Sequence, residues 1–238
     1  MSAARVLVIL ACASFCWAQS AAPSPASPPN ILLLVRQQFK PERTYARDRL
    51  ERAISAAYNR LEVPVYWMEM QSFSGTPEAL LFDLFDSFEA VEKAGAVLAP
   101  LYEAQPDLVR WQAGIDDALS SQRTILAVRR DSPGAQADLS INLAQARFMR
   151  MLVIRTAPGQ EPPVLDNASL PAITYQVNSG MPGPGFLIFL PMAALSDIPS
   201  IRITTGTIVE DSVYAIEPEM SHVSRPFAQQ DQSFWTKP

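Results

Sequence analysis

An order of elements that occurs twice constrains this chain more than its composition does. Ile31–Phe39 (ILLLVRQQF) reads as a strand that begins apolar and ends polar, and Pro41 stops it. Thr44 is placed to cap a helix from Tyr45 to about Arg60, with Leu50, Ala53, Ile54, Ala57, Tyr58 and Leu61 at helical spacing. Two further strands, Val63–Phe73 and Ala79–Phe85, flank the turn Ser74-Gly75-Thr76-Pro77, which is a hairpin pattern. Ser87 with Glu89 opens a helix through Leu98, and a second helical piece follows Pro106. The strand Arg123–Arg130 completes βαββαβ, the split ferredoxin-like unit.

The strand patterns then return. Met151–Arg155 followed by Pro158 lies over Leu34–Gln38 followed by Pro41. Phe186–Leu190 lies over Leu80–Leu84, and Val213–Ile216 over Ile125–Val128. The second copy is shorter because it has lost helix. Between Pro158 and Pro171 the chain is too short and too proline-rich for one, and the second helix shrinks to Ala193–Asp197. Met68 and Met70 share a strand face, expected to lie beneath a helix. Their counterparts Thr174 and Gln176, with Asn178, are polar, as expected where that helix is missing.

Both cysteines, Cys12 and Cys16, belong to the N-terminal region in which Arg5 precedes the apolar run Val6–Phe15. That region reads as an export signal at 1–18, cleaved after Ala18, and bulky Leu10 disfavours a lipoprotein box ending at Cys12. A Pro/Ser/Ala-rich linker follows at 19–30. Export to the periplasm or medium leaves a cysteine-free protein with one histidine, which removes thiol catalysis, disulfides and Cys/His metal sites. A net charge of −5 argues against nucleic acid or anionic lipid as a bulk-charge partner. No later segment has the length and purity of a membrane span.

With the repeated βαββαβ order, an Arg/Gln-bearing first strand running into proline, and an aromatic hairpin, residues Ile31 to Glu217 resemble the dimeric α/β-barrel superfamily. That superfamily includes antibiotic-biosynthesis-monooxygenase-like and NIPSNAP-like modules. The resemblance implies an α+β fold: repeats at 31–140 and 141–220 whose antiparallel sheets face each other as a pseudo-dimeric barrel within a monomer. Residues 221–238 form a tail expected to pack on the domain through Phe234 and Trp235. Members include cofactor-free oxygenases, haem proteins and proteins with no known chemistry. No catalytic motif of the enzyme branches is matched residue by residue, and no cofactor is called for.

Strand alternation then nominates a site between the repeats. The first repeat offers Arg36, Gln38, Trp67, Glu69, Gln71, Asp83, Phe85 and Arg129, and the second Val153, Arg155, Ile173, Tyr175, Val177, Phe189 and Glu217. A space lined this way suits a small amphipathic or aromatic molecule, with Arg36 or Arg129 for an anionic group and Trp67, Tyr175 and Phe189 for a flat one. The enzyme alternative is a cofactor-free monooxygenase or isomerase using Glu69 or Asp83 as base. The competing reading is a salt-bridge network that fills the barrel, and a third is an interaction surface on Thr174, Gln176 and Asn178. His222 is expected to be exposed in a proline-flanked tail, a poor haem ligand, and Asp211, Glu217 and Glu219 lack the spacing of a cation loop.

Overall fold

The computed structural model describes residues 29–73, 76–130, 143–165 and 171–236. The stretch read as an export signal, nearly all of the expected linker and two residues of the hairpin turn lie outside the described residues. Eight strands form a closed antiparallel barrel: β1 (Ile31–Phe39), β2 (Met68–Ser72), β3 (Glu78–Phe85), β4 (Leu119–Arg129), β5 (Phe148–Arg155), β6 (Ile173–Ser179), β7 (Gly185–Met192) and β8 (Thr207–Ile216). Their order around the barrel is β1-β3-β2-β8-β5-β7-β6-β4. Each repeat therefore supplies four adjacent strands, and the repeats join at two seams, β2–β8 and β4–β6. Closure leaves no sheet edge unpaired. At the β4–β6 seam the backbones come so close that only glycine fits position 180. Its φ is +88°, and a Cβ there would run into the Thr124 carbonyl.

The first repeat carries α1 (Thr44–Arg60), α2 (Phe88–Ala104) and α3 (Pro106–Ala118) on its outer face. A 3-10 turn at Pro41–Arg43 leads into α1, so Thr44 is its first residue rather than its cap, with Oγ1 donating to the Pro41 carbonyl at 3.0 Å. Ser87 caps α2 by accepting from the Ala90 N–H at 3.2 Å. α1 and α3 pack tightly at Gly114, where a Cβ would stand 2.7 Å from Leu50 Cδ1. Ile54, Tyr58, Leu108 and Ile115 make that layer's core.

Among the described residues of the second repeat, loops stand where the first has helices. Leu152, Ile154, Phe186, Ile188 and Leu190 are covered by Leu165, Ile201 and Ile203, with Leu165 bridged to Ile203. A 3-10 turn at Leu195–Asp197 stands where the second helix would be. Thr174 is consequently buried, Gln176 half-buried and only Asn178 exposed. The polar strip nominated as an interaction surface is thus mostly covered.

The lumen is solid. Leu32, Leu34, Met68, Met70, Leu80 and Phe82 from the first repeat meet Met151, Ile173, Tyr175 and Phe189 from the second. Phe82 stands edge-on to Phe189 with ring centroids 4.8 Å apart, and Tyr175 packs against both. Met68 and Met70 therefore face the lumen, not a helix. At one end, Trp235 of the short helix α5 (Gln232–Trp235) donates to the Ala144 carbonyl at 2.7 Å and packs with Leu143 and Ala146. Phe227 of α4 (Arg225–Ala228) and Phe234 join it, and Arg147 lies over the Phe234 ring while pairing with Asp231.

Candidate functional site

The other end of the lumen holds the polar residues of β1. Arg36 on β1 reaches Glu78 on β3 at 2.8 Å and Glu210 on β8 at 2.9 Å. Since β8 lies across the barrel from β1, this pairing spans the lumen and stitches the repeats together. Tyr214 donates to Glu78 at 2.8 Å, and Gln38 donates to it at 3.4 Å. Burial and the Glu78 charge push the Tyr214 phenol up, so it stays a neutral donor. Arg155 sits at the same end, its guanidinium on the Pro182 carbonyl. Arg129 lies toward the opposite end, opposite Tyr175, whose hydroxyl donates to the Pro29 carbonyl at 3.2 Å. The lumen thus contains Arg36, Gln38, Arg129, Arg155, Tyr175 and Phe189, but as packing and closed ion pairing rather than as the walls of a space.

Trp67, Glu69, Gln71, Asp83 and Phe85 are not among them. They lie on the outer face, toward the helices. The lumen takes even-numbered residues on β2 and β3 but odd-numbered ones on β6 and β7. Laying Phe186 over Leu80 or Thr174 over Met68 preserves parity and so inverts the face, because one residue of slip exchanges the two sides of a strand. Glu217 lies past the end of β8, its N–H donating to the Glu69 carbonyl at 2.9 Å. The sheet consequently separates Glu69 and Asp83 from Arg36 and Arg129, and the base-plus-arginine constellation is not assembled.

What Glu69 meets instead is Arg47 of α1, both fully buried and in direct ion pairing. Arg47 also reaches Glu51 at 3.1 Å and the Gln37 side-chain oxygen at 2.8 Å. Asp48 stands 3.5 Å from Arg47 and accepts from Gln71 at 2.8 Å. Three carboxylates around one guanidinium leave the cluster short of positive charge. Burial and mutual repulsion hold both Glu51 and Glu69 above the usual carboxylate range, with Arg47 only partly opposing this. Arg47 Nε and Glu69 Oε2 have no partner among the described residues. One signal for this cluster was legible: Arg47 and Glu51 lie on the same helical stripe as Ile54 and Tyr58.

His222 is buried, contrary to expectation. Its backbone pairs with Trp67, and the Trp67 indole donates to the Met220 carbonyl at 2.9 Å. Nε2 donates to the Val63 carbonyl at 2.8 Å, and Nδ1 lies 2.7 Å from the Asn59 carboxamide. The rings of Tyr58, Tyr66 and Trp67 surround it. Burial lowers its pKa, which favours the neutral ring. The acids nominated for a cation are dispersed. Asp211 pairs with Arg150 and Glu219 with Arg52. Among the described residues no cluster of three or more His, Cys, Asp or Glu is arranged to hold a metal, and no helix is long and apolar enough to cross a membrane.

Open space lies outside the barrel. A cleft of about 1130 Å³ runs between α1 and the C-terminal segment. Arg52 and Asn59 line its α1 side, Glu219 and Arg225 the opposite side, and Tyr66 with the edge of Trp235 contributes aromatic surface. Sequence reasoning missed it because its walls are brought together only when the tail folds back along α1.

No family model matches the chain, and no curated protein matches it. Among solved structures it is similar to an anthrone oxidase-like protein, at 14% identity and a TM-score of 0.47, over 81% of this chain and 93% of that one. It is also similar to a heme-binding protein from Thermus thermophilus, at 7% identity and a TM-score of 0.39, over 80% and 92%. A candidate antibiotic biosynthesis monooxygenase from Nitrosomonas europaea matches 42% of this chain with 89% of its own, at 12% identity and a TM-score of 0.32. The strand order decides the fold on its own, with two four-stranded sheets closing one barrel. The chain has the fold of a pseudo-dimeric α/β barrel, closed within one polypeptide. Such a barrel fixes where strands, helices and tail lie and leaves the chemistry to individual sites.

Proposed function

We propose that this dimeric α/β barrel is an exported, non-catalytic protein that binds a small amphipathic molecule in the cleft between α1 and the C-terminal segment. The observation that carries the reading is the contrast between a lumen filled by side chains and an open cleft of about 1130 Å³. Pockets of this order hold small organic ligands when a few polar groups orient an otherwise apolar surface. Tyr66, 43% exposed, offers a ring face stacked over His222, so its position is fixed before a ligand arrives. Among the described residues Arg225 is held by a 3.9 Å approach to Glu62 with both side chains in solvent, so it is available to an anionic group. The ligand is thus a flat apolar body carrying one acid, and export rests on the Val6–Phe15 run.

The test is a fluorescence titration with 8-anilinonaphthalene-1-sulfonate, which combines those two features. Tyr66→Ala is expected to weaken binding about fivefold, the loss of roughly 1 kcal/mol of aromatic contact. Arg225→Ala should weaken it further, while Gln38→Ala at the lumen end leaves it unchanged. Binding indifferent to both cleft substitutions would overturn the reading.

A further inference from the structure

A second feature lies on the helix-covered face of the first repeat, away from the cleft. Asp83 stands on the outer face of β3 opposite Leu33 of β1, between Leu81 and Phe85 on the same face. Its Oδ1 is closed off from solvent and has no hydrogen-bond partner among the described residues. A carboxyl in that situation is costly, because buried polar groups are ordinarily paired. Burial alone pushes its pKa up to about 8, and no cation among the described residues opposes the shift.

The helix beside it is unusual in the opposite sense. α2 packs against β3 and α3, yet none of its residues is fully buried, although its sequence is mostly apolar. Ala94, Leu98, Leu101 and Tyr102 are only partly covered, as are Leu33, Val35, Leu126 and Val128 on the sheet below. A helix and a sheet that leave their apolar sides only partly covered present apolar surface that a guest can cover. Aromatic surface stands close by. Tyr58 is near enough for the Asp83 charge to bear on its phenol, its hydroxyl meets that of Tyr102 at 3.5 Å, and its ring packs edge-on against Trp67.

We propose that the partly covered surface between α2 and β3 is a second binding site, taking the ammonium group of a small apolar amine with Asp83 as its counter-ion. An anion would be repelled by the carboxylate, and a neutral hydrocarbon would leave Oδ1 as unsatisfied as before. An ammonium donates to it, supplies the missing opposite charge, and finds ring faces beside it. The proton balance is simple. At neutral pH Asp83 holds a proton, the amine arrives already protonated, and binding sends the Asp83 proton to solvent with no covalent bond made or broken.

Calorimetric titration of the full chain with 2-phenylethylamine at pH 7, in two buffers of different ionisation enthalpy, tests this directly. Saturable binding with close to one proton released per amine is expected. Asp83→Asn should weaken binding at least tenfold and abolish the proton release, and its circular dichroism will show that the fold is intact, since the change replaces a protonated carboxyl by an amide of similar size. Asp83→Leu provides a second variant with the same expectation. The anion 3-phenylpropanoate should not compete for the site, and Tyr66→Ala should leave amine binding unchanged, which separates this site from the cleft. Equal binding by Asp83→Asn, binding without proton release, or no binding to the wild-type chain at millimolar amine would each overturn the proposal.

Discussion

Arg36 and Arg47 are each held between two glutamates, one on either side of the same sheet, and the sequence around them gives little hint of how differently they are housed. Arg36 keeps 17% of its side chain exposed, and Glu210 beside it 29%, so water shares in their solvation. Every oxygen of Glu78 and Glu210 there has a donor. Arg47 and Glu69 are fully buried and leave one nitrogen and one oxygen without partners among the described residues. The first cluster joins two repeats at a partly wet barrel end. The second pins a helix to a sheet in a dry layer, where charges cost more to bury and more to leave unpaired. The same residue types therefore contribute differently according to which side of the sheet they occupy.

Arg47→Met is the largest expected effect. It strands Glu69 and Glu51 in the helix layer, and removing one partner of a buried pair costs about 3–5 kcal/mol. Urea unfolding measures it, and adding Glu69→Gln to the same chain should recover part of the loss by removing the stranded charge. A cost below about 1 kcal/mol would mean that the cluster is better hydrated than its geometry indicates.

Arg36→Met should cost less, about 1–2 kcal/mol, since Tyr214 still donates to Glu78 and solvent reaches Glu210. If this substitution proved the more damaging of the two, the contrast would reverse, and the wet end would be the stronger tie between the repeats. The double substitution should be additive, because the sheet lies between the clusters and they share no partner.

The repeat, the eight strands and the loss of helix in the second copy were legible from apolar runs and prolines, because those patterns report on the backbone alone, whereas the closed barrel followed only from the family resemblance. Side-chain direction was not. Arg36 and Tyr175 were placed on the correct face, whereas Glu69, Asp83 and Met70 were inverted. The inversion comes from taking the apolar face of Met68 and Met70 as the one beneath a helix, and from laying β2 and β3 over β6 and β7 without a change of parity. In fact the small lumen had to be filled with Met68, Met70, Leu80 and Phe82, while the amphipathic α1 carried its own guanidinium into the dry layer to meet Glu69. Alternation gives two faces and not which is which. The clue that breaks the tie lies on the helix, where Arg47 and Glu51 interrupt an otherwise apolar stripe. The cleft was illegible for a different reason. Its two walls, around Asn59 and Arg225, are far apart in sequence and meet only through the buried His222–Trp67 pairing.

A further effect sharpens the comparison through pH. The groups facing Glu51 in its cluster are Arg47, Asp48 and Glu69, and Glu217 lies near enough to feel the Glu69 charge. Glu51 is pushed up to about 8 in the folded chain, well above a carboxylate in the unfolded one. Between roughly pH 4.5 and 8 the folded state therefore holds a proton that the unfolded state has lost, and stability falls as pH rises. Each such proton contributes a slope of about 1.4 kcal/mol per pH unit at most. Glu51→Gln removes one of them, so its unfolding free energy should decline less steeply than that of the wild-type chain across pH 5.5, 6.5 and 7.5. Asp83→Asn should flatten the profile in the same direction, since that carboxyl is raised as well. Parallel slopes for Glu51→Gln and wild type would show that the dry cluster holds no proton of its own, and the distinction between the two arginines would then rest on packing alone.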